Sequence, residues 1–511
     1  MTMEWTRHLD EAGVVRLAEL LALKLRPNDV IALSGDLGAG KTTLARALIG
    51  AVLRDGNAEV PSPTFSLHQT YVSRRLTIAH FDFYRLSGVH EAAELGFEDA
   101  AQDGAVIVEW PERVAALLPE TRIEIVLAET SDADVRSVTV RGLGGAGERI
   151  ARIADVMAFL DRHAEWSRAR ITYLQGDAST RGYARLSAGG RTVLLMDAPR
   201  QPDGPPVRDG KPYSQIAHLA EDMVRAFAAI AGPLRTAGLS APEVLAEDFE
   251  NGLLLVEDLG DRVFSAEVTR GVPQDALWRT AVDALVELQR SDAPQHLPLQ
   301  GGRHVLQDYG QAALQIEVEL LIDWYWPALH GKPVPDATRA EFLSLWSVVF
   351  DRLERQPPCW VLRDFHSPNL VWLPERDGIQ RVGVLDFQDA QRGPAAYDLV
   401  SLLQDARVDV TEALEKTLLA HYCNAVRNHQ PHFNEAELRF AYNALGAQRS
   451  TKILGIFVRL AHRDGKQQYL THLPRIWEYL QRNLRHVTLA PLAAWYEKHF
   501  PISVRDGKLP L

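Results

Sequence analysis

The pattern glycine, any four residues, glycine, lysine and threonine occurs at residues 35–42. It follows an apolar run at residues 30–34 and precedes a stretch with helical spacing at residues 43–53. Glycines let backbone N–H groups turn inward, and a helix N-terminus adds positive potential, so such a segment binds phosphate groups. Lys41 would reach the outer phosphates, and the Thr42 hydroxyl would ligate Mg²⁺. The pattern therefore predicts an ATP site rather than an ordinary glycine turn. The residues expected to contact this nucleotide are Gly35, Gly38, Ala39, Gly40, Lys41, Thr42 and Thr43.

Two acidic residues stand at the ends of predicted strands downstream of this loop. The apolar stretch at residues 76–82 ends on Asp82, and the stretch at residues 105–109 ends on Glu109. In an α/β fold, acids at strand ends can hold Mg²⁺ opposite the phosphate loop and take part in phosphoryl transfer. Thr64 follows a Ser-Pro pair and could touch the metal like a switch threonine. From chemistry alone, a plain turn residue explains Thr64 equally well.

A second group of chemically competent residues lies much further along the chain. Asp364 lies between two short strand-like stretches, Asn369 follows five residues later, and Asp386 stands at the end of the next such stretch. This order is typical of kinases, in which the first Asp orients or deprotonates the acceptor hydroxyl. Asn369 and Asp386 would then hold Mg²⁺ against the phosphates. Each residue alone could be a turn residue or a helix cap, but their order and spacing favour a second ATP site.

The composition limits the class of protein. A chain of 511 residues is too long for a single core, and 46% hydrophobic with 24% charged residues is ordinary for a globular protein. Two cysteines, Cys359 and Cys423, exclude a disulfide framework. Without a signal-peptide pattern or a long apolar run, a cytoplasmic protein with no membrane segment is expected. A net charge of −12 disfavours nucleic acid, so RNA contact would need a local patch or a partner protein.

The chain divides most naturally at residues 142–147, which contain four glycines. Such a stretch predicts a flexible linker, and hence two nucleotide sites that act independently. Before it, strands mix with helices and predict an α/β P-loop ATPase domain with a central sheet. After it, strands precede a mainly helical region, which predicts a bilobal, protein-kinase-like α+β domain. The predicted parts are residues 1–145, a linker at 146–150, and residues 151–511, with an N-lobe at about 170–262 and a C-lobe at about 263–511.

Four motifs in the first part occur in an order that resembles the TsaE (also called YjeE) family. They lie at residues 35–43, 62–65, 80–86 and 108–111. The resemblance implies an ATPase that acts with the partners TsaB and TsaD in threonylcarbamoyl modification of adenosine at position 37 of tRNA. The domain would reach tRNA only through these partners and would not itself transfer the carbamoyl group. By this resemblance, Thr42, Thr64 and Glu109 contact the metal, and Asp82 and Glu109 have catalytic roles.

The chain from about residue 150 onward resembles the aminoglycoside phosphotransferase-like kinases and, within them, the anomeric sugar kinases of the AmgK type from cell-wall recycling. The motifs that carry this lie at residues 176–181, 195–199, 257–260, 363–366, 385–390 and 393–399. The resemblance implies ATP-dependent phosphorylation of the anomeric hydroxyl of an amino sugar, N-acetylmuramate or N-acetylglucosamine. It assigns Asp364 as catalytic base, Asn369 and Asp386 as metal ligands, and Glu257 to the hinge that contacts adenine.

Two departures from the broader kinase pattern leave an alternative open. Leu362 stands where many kinases have a histidine, and the strand at residues 193–197 has no lysine. The cation that neutralises phosphate would then be Arg181, Arg185 or Mg²⁺ alone. A pseudokinase that senses a nucleotide or sugar and regulates the ATPase is therefore an alternative. The retained Asp364 favours an enzyme, because a pure binder has no use for a catalytic base.

Overall fold

The computed structural model describes residues 2–55, 58–86, 89–174, 181–505 and 509. The chain folds into two compact units, each formed from two stretches of sequence. The first unit comprises Met1–Pro199 and Leu245–Asp258, and the second comprises Arg200–Val244 and Leu259–Leu511. These units do not follow the predicted boundaries, since residues 200–244 of the predicted N-lobe group with the helical part of the chain. The glycine-rich motif at residues 176–180 lies outside the described residues.

The first unit contains a sheet of seven strands in the order β1-β7-β6-β2-β5-β4-β3. These strands are β1 (Met3–Asp10), β2 (Val30–Ser34), β3 (His68–Val72), β4 (Thr77–Asp82), β5 (Ala105–Glu109), β6 (Arg122–Glu129) and β7 (Val135–Leu143). Strands β4, β5, β2 and β6 are parallel, and the remaining three pair antiparallel at the two edges. Strands β2 and β5 are apolar runs buried on both faces, as central parallel strands require. The predicted central sheet is thus confirmed.

Among the described residues, helices α1 to α5 accompany this sheet, and the last begins within the predicted linker. They are α1 (Glu11–Lys24), α2 (Lys41–Leu53), α3 (Val89–Glu94), α4 (Phe97–Asp103) and α5 (Gly147–Asp161). Helix α5 packs on β1 and β7, and its Ile150 is fully buried. Gly142 pairs in β7, and a Cβ there would lie 2.7 Å from the Ala146 carbonyl oxygen. The expectation of a flexible linker is therefore wrong, because at least Gly142 serves the close approach of α5 to the sheet.

A second sheet in the same unit has the order β13-β14-β10-β9-β8, in which β14, β10, β9 and β8 pair antiparallel. Its strands are β8 (Arg170–Leu174), β9 (Gly182–Ala188), β10 (Arg191–Asp197), β13 (Val244–Asp248) and β14 (Leu253–Glu257). One hydrophobic core joins apolar residues of both sheets and of α5, including Ile31, Ile150, Leu186 and Leu255. The strands predicted as an N-lobe are therefore packed with the ATPase sheet and do not form a separate body.

The second unit is mainly helical, as predicted. Its helices are α6 (Tyr213–Ile216), α7 (Met223–Thr236), α8 (Phe264–Thr269), α9 (Gln274–Leu288), α10 (Gln311–Leu320), α11 (Trp326–His330), α12 (Asp336–Leu353), α13 (Ala396–Leu403), α14 (Glu412–His429), α15 (Glu435–Asp464), α16 (Leu473–Leu484) and α17 (Ala490–His499). Asn434 caps the long helix α15 by accepting hydrogen bonds from two backbone N–H groups. No helix within the described ranges is both long and apolar enough to cross a membrane.

Short strand pairs hold the loops of the second unit. The strands are β11 (Pro206–Arg208), β12 (Lys211–Pro212), β15 (His296–Leu299), β16 (Gly302–Val305), β17 (Cys359–Val361), β18 (Leu370–Trp372), β19 (Val382–Val384) and β20 (Gln391–Gly393). Strand β17 pairs with β20, and β18 pairs with β19. The loop from β17 to β18 and the loop from β19 to β20 therefore leave the same two strand pairs, which brings their residues together.

Candidate active sites

The glycine-rich loop of the first unit joins β2 to α2, and Lys41 is the first residue of that helix. Gly35 has φ +144°, and a Cβ at this position would lie 2.3 Å from the carbonyl oxygen of Leu127. Gly40 has φ +105° and stands directly before the helix. Both backbone positions therefore favour glycine over a residue with a side chain.

Lys41 is held by the loop itself. Its Nζ donates hydrogen bonds to the carbonyl oxygens of Gly35 and Asp36, at 2.7 and 2.9 Å. The ammonium also lies 3.8 Å from the centre of the Trp110 ring, which is a cation–π contact. Burial lowers the pKa of Lys41, while nearby Glu109 and other acids act in the opposite direction. A nucleotide must therefore draw Lys41 away from two carbonyl groups to use its charge.

The predicted acids Asp82 and Glu109 stand side by side at the ends of β4 and β5, where they are Cα partners. Glu109 accepts a hydrogen bond of 3.0 Å from the Thr42 hydroxyl through Oε2. Its Oε1 lies 3.0 Å from Nε2 of the buried His80. Thr42 and Glu109 thus present a hydroxyl and a carboxylate at the mouth of the phosphate loop.

The Asp82 carboxylate holds the segment that contains Thr64. Its Oδ2 accepts hydrogen bonds from the hydroxyls of Ser62 and Thr64, at 3.0 and 3.1 Å. Its Oδ1 accepts the backbone N–H of Tyr84 at 3.1 Å. The four predicted residues Thr42, Thr64, Asp82 and Glu109 therefore meet at one edge of one sheet.

The donor set of this edge suits Mg²⁺. No group of three or more His, Cys, Asp or Glu side chains suited to a metal is found among the described residues. Mg²⁺ in nucleotide sites commonly uses only one or two protein oxygens, together with phosphate oxygens and water. Thr42 and Glu109 offer such hard oxygen atoms next to each other. The residues present therefore fit the ion.

In the second unit, the structure brings together Asp364, Asn369 and Asp386. Asn369 donates through Nδ2 to the backbone oxygen of Asp364 at 3.1 Å and to Oδ2 of Asp386 at 3.4 Å. Gln388 Nε2 donates to the other oxygen of Asp386 at 3.0 Å. The Asp364 side chain is 44% exposed and can meet an acceptor molecule. Asn369 and Asp386 again offer oxygen ligands of the kind Mg²⁺ takes.

The backbone before Asp364 is held by a buried carboxylate. Asp398 accepts the N–H groups of Leu362 and Arg363, at 2.6 and 2.9 Å. Burial raises the pKa of Asp398 to about 7, although these two hydrogen bonds act against the shift. Arg363 has φ +69°, a left-handed conformation that is uncommon for a residue with a side chain. Asp398 therefore fixes the strained turn from which Asp364 projects.

The Arg363 side chain belongs to a buried charge network that also contains Glu317 and Lys452. Glu317 pairs with Arg363 and lies 2.7 Å from Lys452 Nζ. Gln448 donates to the same carboxylate at 2.9 Å. Burial opposes the charge on Glu317, but Lys452 and Arg363 outweigh it and lower its pKa to about 2. The network anchors the catalytic loop from inside the unit.

The remaining predicted residues of the second ATP site lie in the first unit. Glu257 is the last residue of β14. Arg185, one candidate for the missing cation, forms two hydrogen bonds to the Asp258 carboxylate at 2.6 and 3.0 Å. Asp197 ends β10, the strand that lacks the lysine, and it is paired with Lys24 and Arg152. In this arrangement the Arg185 guanidinium is ion-paired with the Asp258 carboxylate.

Sequence reasoning assigned no role to four residues that shape these sites: His80, Trp110, Glu317 and Asp398. His80 stands two residues before Asp82 on the same strand. Because successive side chains of a strand point to opposite faces, the sequence could have indicated that these two lie on the same face. Asp398 lies in the motif at residues 393–399, and its place in that motif could have indicated a role in the site. For Glu317 the sequence carries no signal, because its partners lie on separate helices and loops.

The comparisons with known proteins divide the chain in the same order. Residues 9–138 match the family model described as "Threonylcarbamoyl adenosine biosynthesis protein TsaE". Residues 170–440 match the model described as "Phosphotransferase enzyme family". Each match falls on a part of the chain that carries one of the two sites.

Characterised relatives agree with these two matches. An N-acetylmuramate/N-acetylglucosamine kinase of Caulobacter vibrioides is 37% identical over 362 residues, which are 69% of this chain and 98% of the relative. The kinase of the same name from Pseudomonas aeruginosa is 35% identical over 61% of this chain and 83% of its own. A tRNA threonylcarbamoyladenosine biosynthesis protein TsaE of Rickettsia felis is 42% identical over 26% of this chain and 75% of the relative. Both predicted resemblances are confirmed: the chain belongs to two enzyme families, joining a TsaE domain to a domain of the phosphotransferase enzyme family.

Proposed function

We propose that the protein is bifunctional, an ATPase for tRNA modification fused to an ATP-dependent amino-sugar kinase. For the kinase, the observation that carries the proposal is the meeting of Asp364, Asn369 and Asp386 at the ends of two paired strands. The proposed class of acceptor is the one in the name of the Caulobacter vibrioides kinase, since this chain matches 98% of the length of that relative. N-acetylmuramate and N-acetylglucosamine, named in that relative, are the proposed acceptors.

In the proposed transfer, Asp364 accepts the proton of the anomeric hydroxyl while that oxygen attacks the γ-phosphorus of ATP. The bond between the γ-phosphorus and the bridging oxygen breaks, and ADP leaves. Asn369 and Asp386 would hold Mg²⁺, which supplies charge neutralisation on the phosphates when bound. Asp398 and Arg363 keep the loop in the conformation that presents Asp364.

For the first unit, we infer ATP hydrolysis in support of threonylcarbamoyladenosine formation at position 37 of tRNA, together with TsaB-like and TsaD-like partners. The 42% identity to the Rickettsia felis TsaE protein supports this proposal. Thr42 and Glu109 would hold Mg²⁺, and Lys41 would exchange its loop carbonyls for phosphate oxygens. Asp82 would position Thr64 at the same edge. The partners, and not this chain, would carry the tRNA.

The experiment that tests the kinase proposal uses the full chain with ATP, Mg²⁺ and a panel of amino sugars. Phosphorus NMR should show a sugar 1-phosphate with N-acetylmuramate or N-acetylglucosamine and no product with the 1-O-methyl glycosides, whose anomeric oxygen is blocked. A product with the blocked sugars would contradict transfer to the anomeric hydroxyl.

The alternative, a nucleotide- or sugar-sensing domain, is favoured by one observation. Strand β10 carries no lysine, and the nearby Arg185 is bound to Asp258. The same assay separates the two functions. A sensor would bind ATP or sugar without forming a sugar phosphate, and the bound sugar would alter ATP hydrolysis by the first unit.

A further inference from the structure

A cavity of about 1040 Å³ lies in the first unit, and of the predicted site residues only Thr43 is part of its wall. Its walls are one face of α1, one face of α2, and the segment that enters β8. On α2 the wall residues Thr43, Ala47 and Gly50 follow helical spacing and therefore share one side of the helix, and Arg54 directly follows its end. Strand β8 is the edge strand of its sheet. The cavity therefore lies where the ATPase helices α1 and α2 meet the edge of the sheet that belongs to the phosphotransferase domain.

The wall of this cavity is basic. Its charged residues are Arg16, Arg46, Arg54, Arg168 and Arg170 against Glu11, Glu19 and Asp55. Arg168 is paired with Asp10 at 3.1 Å, outside the wall. Arg46, Arg54 and Arg170 form no ion pair with any carboxylate in the described part of the chain. Three guanidinium groups around one cavity are therefore not directly paired with these residues, and Glu19 acts on Arg170 only through a longer-range electrostatic interaction.

Arg46 and Glu19 add to this imbalance. The Arg46 Nε donates to the carbonyl oxygen of Val60 at 3.1 Å, which orients the side chain without neutralising it. Glu19 accepts the backbone N–H of Ile171 at 2.8 Å. Burial raises the pKa of Glu19, while Arg170 and Arg16 act in the opposite direction.

Arg16 adds a further positive charge beside the cavity. It is only 8% exposed and borders the cavity. Its Nη1 lies 3.2 Å from Asp161. Its Nε and Nη2 are buried out of reach of solvent and have no hydrogen-bond partner in the described ranges. A ligand in the cavity would therefore interact with the charge of Arg16 at a distance, without contacting these two atoms.

The chemistry of the wall selects the class of ligand. Guanidinium groups match phosphate oxygens in a two-point geometry, and three that form no direct ion pair favour a ligand with at least two negative charges. Apolar side chains such as Val15, Ala47 and Ile171 complete the lining and suit the uncharged part of a small molecule. We propose that this cavity binds a small phosphorylated molecule that carries two or more negative charges. An RNA backbone fits less well, because it needs an extended basic surface rather than a cavity.

The test is calorimetric titration of the full chain with inorganic pyrophosphate while Mg²⁺ and a non-hydrolysable ATP analogue saturate both nucleotide sites. Wild-type protein should bind one further equivalent. Arg46→Gln and Arg170→Gln should each weaken this binding about tenfold or more. Both side chains are exposed, so neither change should disturb folding. Arg191→Gln is the matched control, since Arg191 is an exposed arginine of the same unit outside the cavity.

Two further arms identify the source of the phosphate. N-acetylglucosamine 1-phosphate represents a sugar phosphate, and a short RNA represents a polyanion. Binding of pyrophosphate or sugar phosphate that Arg46→Gln weakens supports the proposal, and the tighter of the two names the source. Three outcomes would overturn the proposal. They are binding of RNA alone, no binding beyond the two nucleotide sites, and binding that both variants leave unchanged. Because both nucleotide sites stay saturated, this outcome does not depend on whether the kinase transfers phosphate to a sugar.

Discussion

The two candidate active sites differ in what holds their reactive groups. In the first unit, Lys41, Asp82 and Glu109 are all at least 95% buried, and each has hydrogen-bond partners within the protein. In the second unit, the side chain of Asp364 is 44% exposed, and the protein fixes the backbone around it instead. The first site must give up internal hydrogen bonds to receive a nucleotide, whereas the second already presents its base to solvent.

This difference indicates which substitutions should impair each site. Removal of a charged group from the first site removes a part that contacts the nucleotide directly. The second site depends in addition on residues that never touch substrate, such as Glu317 and Asp398, because they fix the loop that carries Asp364. Substitutions at the two sites should therefore separate effects on chemistry from effects on folding.

The largest effect is expected for Lys41→Ala. Without this cation, the phosphates lose their main positive partner in a buried site, so support of tRNA modification should be lost. The modified base is quantified by mass spectrometry of tRNA from cells depleted of their own TsaE protein. Lys416→Ala, at an exposed lysine of α14, is the control and should retain support. Normal amounts of the modified base in Lys41→Ala cells would contradict the assigned role of the first site.

Asp364→Asn should lower the rate of sugar phosphorylation about 10²–10⁴-fold, the usual contribution of a general base. Binding of ATP should change little, because Asp364 faces the acceptor. Steady-state kinetics and ATP titration measure the two quantities. Asp377→Asn changes an exposed acid of the same unit and should leave the rate unaltered. Turnover of Asp364→Asn at nearly the wild-type rate would exclude Asp364 as the base.

Glu317→Gln should destabilise the second unit by about 3–5 kcal/mol, because Arg363 and Lys452 would lose their buried counter-charge. Denaturant unfolding measures this loss. The control is Glu412→Gln, which removes an exposed pair with Lys416 and should change the free energy of unfolding far less. Equal losses in the two variants would mean that the buried network contributes no more than a surface pair.

The same residue predicts a pH dependence. The pKa of Glu317 is lowered to about 2 in the folded protein from an ordinary value of 4.5. A carboxylate with a lowered pKa stabilises the fold above its unfolded pKa and loses this contribution as the pH falls toward the folded value. Wild-type protein should therefore lose stability between about pH 4.5 and 2 more steeply than Glu317→Gln. Parallel curves for the two proteins would contradict the assignment.

A smaller effect is expected where the two families meet. Arg152 lies on α5 and donates to Asp197 of β10 at 2.9 and 2.8 Å. Arg152→Met should destabilise the first unit by about 1–3 kcal/mol, less than full loss of a buried pair because Lys24 still contacts Asp197. Arg162→Met is the control. The Arg162 side chain pairs with Asp248 but is 55% exposed, so this substitution should lower the free energy of unfolding by less than about 1 kcal/mol. If the kinase strands were independent of the ATPase sheet, both variants would unfold like wild type.

The sequence predicted the elements that carry local signals and missed those that depend on tertiary packing. The phosphate loop, the acids at strand ends and the Asp364 group follow from residue type and spacing, and the structure places each set together. The glycines at residues 142–147 carried a misleading signal, since glycine serves both flexible linkers and close helix–sheet contact. Only the burial of Ile150 against the sheet distinguishes the two. The Glu317 network could not be predicted, because its residues are distant in sequence.

The smallest expected effect tests whether the shared core couples the two sites. Strand β8 packs against α1 and α2, so the helix that begins at Lys41 also contacts a strand of the kinase sheet. However, a packed core transmits a signal only if it has two alternative arrangements. One observed contact, the Arg54 guanidinium over the Tyr173 ring of β8, lies beyond the C-terminal end of α2, at the opposite end from Lys41. Lys41→Ala should therefore change the KM of the kinase for ATP by less than about threefold, roughly 0.7 kcal/mol. Kinetics of sugar phosphorylation by the full chain measure this, with Lys416→Ala as the control. A change beyond tenfold would show that nucleotide in the first site regulates the kinase, and the sensing alternative would then gain its first direct support.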